Sequence, residues 1–137
     1  MANEIFVDTS GFYALLVLAD DRHAAASRHL REARRRKRRF VTSDYVLDET
    51  ATLLKARGQA HLLSAFFTKV LTSKVCLVEW MDAERFLDVQ VFFLKHADQA
   101  WSFTDCFSFR IMRELRLRDA LTKDRHYDEA GFAALRA

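Results

Sequence analysis

Hydrophobic positions along the chain alternate between short apolar runs and longer stretches with helical spacing. Glu4 to Val7 is short, apolar and β-branched, which predicts a buried strand. It stops at Asp8-Thr9-Ser10-Gly11, where Ser10 is placed to cap a helix carrying Phe12, Leu15, Leu16 and Leu18. A second helix is expected from about Asp21, with Ala24, Ala25 and Leu30 on one side and arginines on the other. Arg39 to Thr42 reads as a second strand. Ser43 or Asp44 then caps a helix whose apolar face is Val46, Leu47, Leu53 and Leu54. Gly58 ends it, and a further helix is expected from Gln59 to about Leu71. Val75 to Trp80 predicts a third strand, Asp82 opens a long helix, and Ser102 to Leu115 predicts another. A short strand at Ala120 to Thr122, a helical turn from Asp124 to Glu129 and a strand around Ala133 to Leu135 complete the pattern.

Strands that alternate with helices imply right-handed crossovers and a parallel sheet covered on both faces. In such sheets, sites form beyond the carboxyl ends of the strands. A length of 137 residues fits one domain spanning residues 1–137. Proline is absent and glycine occurs at 11, 58 and 131 alone, so most of the chain should be regular structure with short turns. Half the residues are hydrophobic and 30% are charged, which excludes a disordered chain. Twelve phenylalanines predict an aromatic core. In the adjacent pairs Phe66-Phe67 and Phe92-Phe93, one member must face away from that core, toward a broad helix face or a partner. Cys76 and Cys106 lack metal-ligand spacing and read as free thiols of a reducing cytosol. The first ten residues do not resemble a secretion signal, and the longest apolar run, Phe12 to Ala19, is far short of the roughly 20 residues that span a bilayer. A cytoplasmic protein with no membrane contact is expected.

The candidate chemistry is acidic. Asp8 directly follows the first strand and Asp124 follows the short strand containing Leu121, so both belong at the carboxyl edge of the sheet. Taken alone, either could be a turn former or a helix cap. Glu49 lies at the border of an apolar helix face, with Asp48 turned to water; its plain alternative is a surface glutamate. Asp105 falls in Ser102-Phe103-Thr104-Asp105, a capping-box pattern that satisfies backbone donors without further function. The helix it opens is nevertheless apolar nearly all round, which puts this carboxylate in a sheltered position. Acids at several element ends suit oxygen coordination of Mg²⁺ or Mn²⁺, and gathered carboxylates repel one another unless cations join them.

Three segments carry a family resemblance. They are Phe6-Val7-Asp8-Thr9-Ser10-Gly11-Phe12-Tyr13-Ala14-Leu15-Leu16, then Thr42-Ser43-Asp44-Tyr45-Val46-Leu47-Asp48-Glu49-Thr50, and last Ser102-Phe103-Thr104-Asp105-Cys106 continuing through Leu121-Thr122-Lys123-Asp124-Arg125-His126-Tyr127 to Ala130-Gly131-Phe132. In order and spacing this set resembles the PIN-domain nucleases, in particular the VapC-type toxins of toxin–antitoxin pairs. The resemblance implies a three-layer α/β/α sandwich around a parallel sheet of about five strands. It implies Asp8, Glu49, Asp105 and Asp124 as the quartet around Mg²⁺ or Mn²⁺, with Ser10 or Thr9 lending a hydroxyl. It also implies hydrolysis of RNA to a 5′-phosphate, a homodimer, and a small antitoxin that silences it. Tyr127 stands where many relatives carry Phe. The roles expected are Asp8 at the tighter or bridging metal, Asp105 and Asp124 completing its shell, and Glu49 at a second metal or orienting water.

Other features modify this picture less. Net charge is only +3, but Arg34, Arg35, Arg36, Lys37, Arg38 and Arg39 form one basic run that either contacts RNA phosphates or is a solvated helix end. His126, two residues past Asp124, reads as a surface histidine, since no other histidine is spaced to join it. Trp80 and Trp101 suit either base stacking or packing. A dinucleotide oxidoreductase is excluded by the lack of a glycine-rich turn after the first strand. A phosphatase with Asp8 as nucleophile would want a second Asp where Ser10 stands. An RNA-binding or regulatory module without strong activity is the remaining alternative.

Overall fold

The computed structural model describes residues 3–136. Among them five strands form one sheet in the order β3-β2-β1-β4-β5: β1 (Ile5–Val7), β2 (Phe40–Ser43), β3 (Cys76–Glu79), β4 (Asp119–Leu121) and β5 (Ala133–Leu135). Every pairing is parallel. The central strand β1 is buried along its length, which is why its sequence is continuously apolar instead of alternating.

The helices are α1 (Thr9–Leu16), α2 (His23–Arg35), α3 (Asp44–Ala56), α4 (Leu63–Thr72), α5 (Ala83–Lys95), α6 (Phe103–Glu114) and α7 (Arg125–Glu129), with a 3-10 turn at Ala60–Leu62. From β1 the chain moves outward to β2 and then β3, so right-handed crossovers put α1 to α4 on one face. From β3 it returns past both strands to β4, which puts α5, α6 and α7 on the other. The direction therefore reverses between neighbouring strands β1 and β4. Their outgoing loops part to opposite faces and leave a crevice at the carboxyl edge.

The core between the layers is as aromatic as the composition predicts. Phe6, Phe66, Phe107, Phe109 and Tyr127 are fully buried, and Phe109 meets Tyr127 edge to face at 5.1 Å. Of the adjacent pairs, Phe66 is buried while Phe67 is exposed, and Phe92 is half-buried while Phe93 is exposed. Trp101 packs in the core against Phe92 and Phe109, leaving Trp80 as the exposed indole. Both cysteines are free thiols. No helix among the described residues is long and apolar enough to cross a membrane.

The elements agree with the sequence pattern to within a few residues, with one informative departure. Ser10 does not cap α1. The helix begins two residues earlier than such a cap would place it, at Thr9 after Asp8, and no side chain caps it. Both candidate caps, Asp8 and Ser10, are instead turned toward the loop after β4. Gly11 makes that close approach possible: a Cβ at this position would stand 2.3 Å from the Leu121 carbonyl oxygen. The bare backbone of α1 thus rests on the carboxyl end of β4.

Candidate active site

The crevice between β1 and β4 opens into a cleft of about 830 Å³ whose lining includes Asp8, Glu49, Asp105 and Asp124. Four positions far apart in the sequence are brought to one wall-and-floor arrangement, each by a different element. Asp8 ends β1 and is buried. Its Oδ2 accepts a hydrogen bond from the Thr122 hydroxyl at 2.9 Å. Thr122 Oγ1 also accepts from the Asp124 amide at 2.9 Å and lies 3.2 Å from the Ser10 hydroxyl. Since the one Thr122 proton goes to Asp8, Ser10 must donate to Thr122, while the Ser10 oxygen accepts from the Lys123 amide at 3.0 Å. A directed chain of hydroxyls, Ser10 to Thr122 to Asp8, ties the ends of β1 and β4 together.

Asp105 performs both tasks that its sequence context allowed. It completes a capping box with Ser102, accepting that residue's amide at 3.0 Å, and the same Oδ2 faces the cleft. Asp124 caps α7 by accepting the His126 amide at 3.0 Å. Glu49, expected at the border of an apolar helix face, is exposed: α3 buries Val46, Leu47, Thr50 and Leu54, and Glu49 lines the cleft beside that face. It is held by the Thr9 hydroxyl at 2.9 Å. Thr9 and Ser10 each hydrogen-bond a cleft neighbour, Thr9 the Glu49 carboxylate and Ser10 the Thr122 hydroxyl.

His126 is not the plain surface histidine that its sequence context suggested. It is half-buried, and its Nδ1 lies 2.9 Å from Asp105 Oδ2 and 3.2 Å from Asp124 Oδ1. One ligand atom from each of Asp105, Asp124 and His126 falls within 4.8 Å of the others. The sequence carries one signal for this: His126 stands two residues past the cap Asp124, where its backbone amide bonds the cap carboxylate and keeps the residue beside it. Thr122, which joins Asp8, Ser10 and Asp124, carries a weaker sequence signal, a hydroxyl two residues before Asp124.

The electrostatics follow from burial. Asp8 is pushed up to about 6 by desolvation, against the Thr9 amide and the Thr122 hydroxyl that favour its charged form; the Asp105 carboxylate adds to the push. Burial also acts on His126, in the downward direction. The bond to Asp105 and the charges of Asp124, Asp105 and Glu129 outweigh it and hold the imidazole above its ordinary value. Beneath the cleft the Tyr127 hydroxyl is buried without a hydrogen-bond partner among the described residues, and burial, joined by the Asp8 charge, holds it well above its ordinary value.

These residues fit a divalent cation. The lining holds the carboxylates of Asp8, Asp20, Glu49, Asp105, Asp124 and Glu129 against the cations of Arg22, Arg57, Lys123 and Arg125. Asp8, the most enclosed acid, has hydroxyl and amide partners but no basic one. A buried carboxylate in that state is costly, and a set of carboxylate oxygens is the donor chemistry of a hard divalent cation.

The basic run does not enter the cleft. Arg34 and Arg35 end α2, and the run leads into the amino end of β2, at the opposite edge of the sheet. Arg38 pairs with Asp119 at 2.8 Å, while Arg35 and Arg36 hold Glu32 at 2.6 and 2.7 Å.

The comparisons with known proteins agree with this geometry. The PIN domain family model matches residues 5–133. The chain is 33% identical over 132 residues to the 23S rRNA-specific endonuclease VapC20 of two Mycobacterium tuberculosis strains, an alignment covering 96% of this chain and 98% of that protein. It superposes with a TM-score of 0.85 on the crystal structure of Mycobacterium tuberculosis VapC20, a sarcin-ricin loop cleaving toxin, at 32% identity over 98% of this chain and 100% of that one. On sequence and fold together, the chain belongs to the PIN-domain family and is VapC-like over nearly its whole length.

Proposed function

We propose that this chain is a divalent-metal-dependent endoribonuclease, the toxin of a toxin–antitoxin pair, that hydrolyses a phosphodiester bond in large-subunit ribosomal RNA. The observation that carries this reading is the meeting of Asp8, Glu49, Asp105 and Asp124 in one cleft at the strand reversal. Kinship to VapC20 supports the choice of RNA.

In this reading Asp8, Asp105 and Asp124 hold Mg²⁺ or Mn²⁺, with His126 beside them. The bound cation supplies the Lewis acidity that makes water a nucleophile and offsets charge on the phosphate. Glu49, kept in place by Thr9, orients the attacking water and accepts its proton. Thr122 fixes the direction of Asp8. Arg22, Lys123 and Arg125 on the cleft wall meet the flanking phosphates by charge. The basic run Arg34 to Arg39, standing off the cleft, contacts at most a remote part of a large RNA.

Two further surfaces fit the partners. Leu87, Val91 and Leu94 form an exposed apolar stripe at helical spacing along α5, which fits a second copy of the chain. An apolar groove walled by Phe12, Leu15, Leu30 and Val70 and rimmed by Arg34, Lys37, Arg39 and Lys69 fits an antitoxin segment that is apolar and acidic. An RNA target and free thiols suit the cytoplasm.

The test is incubation of the purified chain with an RNA carrying the sarcin–ricin loop, in Mg²⁺, in Mn²⁺ or in chelator. Cleavage to a 5′-phosphate that needs either metal is expected. Cleavage that persists undiminished in chelator, or none with either ion, overturns the reading.

A further inference from the structure

We infer that Tyr13, Leu53 and Arg57 form a platform on which the nucleobase next to the scissile phosphate stacks; this rests on the reading of the cleft as an RNA-cleaving site. The observations come from two helices leaving the acidic floor side by side. Thr9 and Tyr13 are four apart on α1, and Glu49, Leu53 and Arg57 are spaced by four along α3 and its C-cap, so each set forms one stripe. The first rung between the stripes is the Thr9–Glu49 hydrogen bond at 2.9 Å. A later rung is the Arg57 guanidinium over the Tyr13 ring, 5.2 Å from its centre. All five side chains line the cleft.

Glu49 to Arg57 spans eight residues, or about 12 Å of helix. That carries the wall from the acids toward a neighbouring nucleotide. Its chemistry changes along the way. Tyr13 and Leu53 are the apolar members of a lining otherwise made of charged, hydroxyl and imidazole side chains, and both stand on this wall. Charged rim residues suit phosphates, whereas the apolar part of RNA is the face of a base. Arg57 is exposed in a cleft containing six carboxylates, yet it lies on the Tyr13 ring. A guanidinium plane and a phenol ring so placed offer a base two stacking surfaces and sequence tolerance.

Single-stranded RNA oligomers spanning the cut, with 2-aminopurine placed in turn at each position, provide the probe, and the Asp8→Asn background keeps strands whole. Quenching is expected at one position beside the scissile phosphate. Tyr13→Leu should abolish it and weaken binding about 5- to 150-fold, the range of one base–aromatic stack, while Tyr13→Phe keeps both. Leu53→Gln, which leaves the ring in place, should lower affinity in the same direction. Replacing the quenched base by an abasic nucleotide should erase the difference between Tyr13 and Tyr13→Leu. A Tyr13→Leu deficit within twofold, a deficit that survives the abasic replacement, or an oligomer that is not bound at all overturns the platform. Position-specific quenching by a chain whose parent cuts no RNA in any metal would sink the hydrolytic reading and leave the platform standing. Cutting that is blind to Tyr13→Leu would do the reverse.

Discussion

Thr122 donates a hydrogen bond of 2.9 Å to Asp8, a residue 114 positions earlier in the chain, and this contact is made across the seam where the sheet changes direction. It is the point at which the two halves of the cleft are fixed to each other. Asp8 comes from β1 and its outgoing helix lies on one face; Thr122 comes from β4 and leads to a helix on the other. Removing that hydroxyl should therefore disturb the metal-holding geometry more than the fold. Thr122→Val is expected to lower Mn²⁺ affinity by about 10- to 100-fold, the usual cost of losing a partner that orients a metal ligand, while Thr122→Ser retains it. Calorimetric titration with Mn²⁺ checks both; equal affinity in Thr122→Val and the parent would refute the role.

Asp8→Asn should abolish metal-dependent cleavage and also stabilise the metal-free protein. The carboxyl is raised from 3.8 to about 6, so the folded state takes up a proton more readily than the unfolded chain. Its contribution is fully present below the unfolded value and is lost as pH rises through the folded one. Ionising it at neutral pH costs about 3 kcal/mol, at roughly 1.4 kcal/mol per pH unit. An amide of the same shape escapes this. In chelator at pH 7.5 the Tm of Asp8→Asn should exceed that of the parent, and Mg²⁺ should raise the parent's Tm alone. A lower Tm for the variant in chelator would contradict the account.

Metal binding should release protons near neutrality. Asp105 and Asp124 hold the His126 imidazole above its ordinary value despite its burial, so that ring gives stability below its unfolded value and loses it as pH rises through the raised one. A cation competing for the same carboxylates favours the neutral ring. Titrations at pH 6.5 in buffers of different ionisation enthalpy should show proton release in the parent and much less in His126→Asn. The apparent Mg²⁺ affinity of the parent should rise with pH across the same interval. Identical proton counts in the two proteins would count against this coupling.

Gly11→Ala should destabilise the fold by roughly 1–3 kcal/mol, the cost of overpacking a tight contact. The added carbon would meet the Leu121 carbonyl, part of the backbone that carries Thr122. Thermal unfolding measures the loss, and metal affinity should fall with it because α1 cannot keep both Asp8 and Ser10 in register. An unchanged Tm would mean that α1 and β4 are free to separate.

Val91→Glu should convert a dimer to a monomer. Val91 is 67% exposed at the centre of the α5 stripe, where an added charge would face its own copy. Light scattering on the eluting peak decides it: a parent that is already monomeric, or a variant that stays dimeric, removes this face from the interface.

Much of the architecture was written in local patterns. The continuously apolar β1, the capping box at Ser102 and Asp105, and the three glycines of a proline-free chain each constrain the backbone within a few residues, so their meaning survives without neighbours. The acids at the ends of β1 and β4 were legible for the same reason: a strand end states which edge of the sheet its next residue occupies. What could not be read was the direction of side chains whose partners are distant. Ser10 looked like a cap because local capping is the commonest use of such a hydroxyl, and its actual partner is Thr122. Glu49 sat at the border of its helix face, and only the position of the cleft decided that this border opens to solvent and meets Thr9.

The sequence by itself determined the alternation of strands and helices, the edge on which the acids lie, and the family to which they belong, because these depend on spacing along one dimension. The tertiary structure alone decided that His126 sits between two carboxylates, that Thr122 joins Asp8 to Asp124, and that the basic run faces away from the cleft. The first two depend on the crossover that carries the chain from β3 back to β4, and the third on the direction in which α2 delivers the chain to β2. Until that return is made, the groups it brings within hydrogen-bonding distance have no physical reason to know of one another.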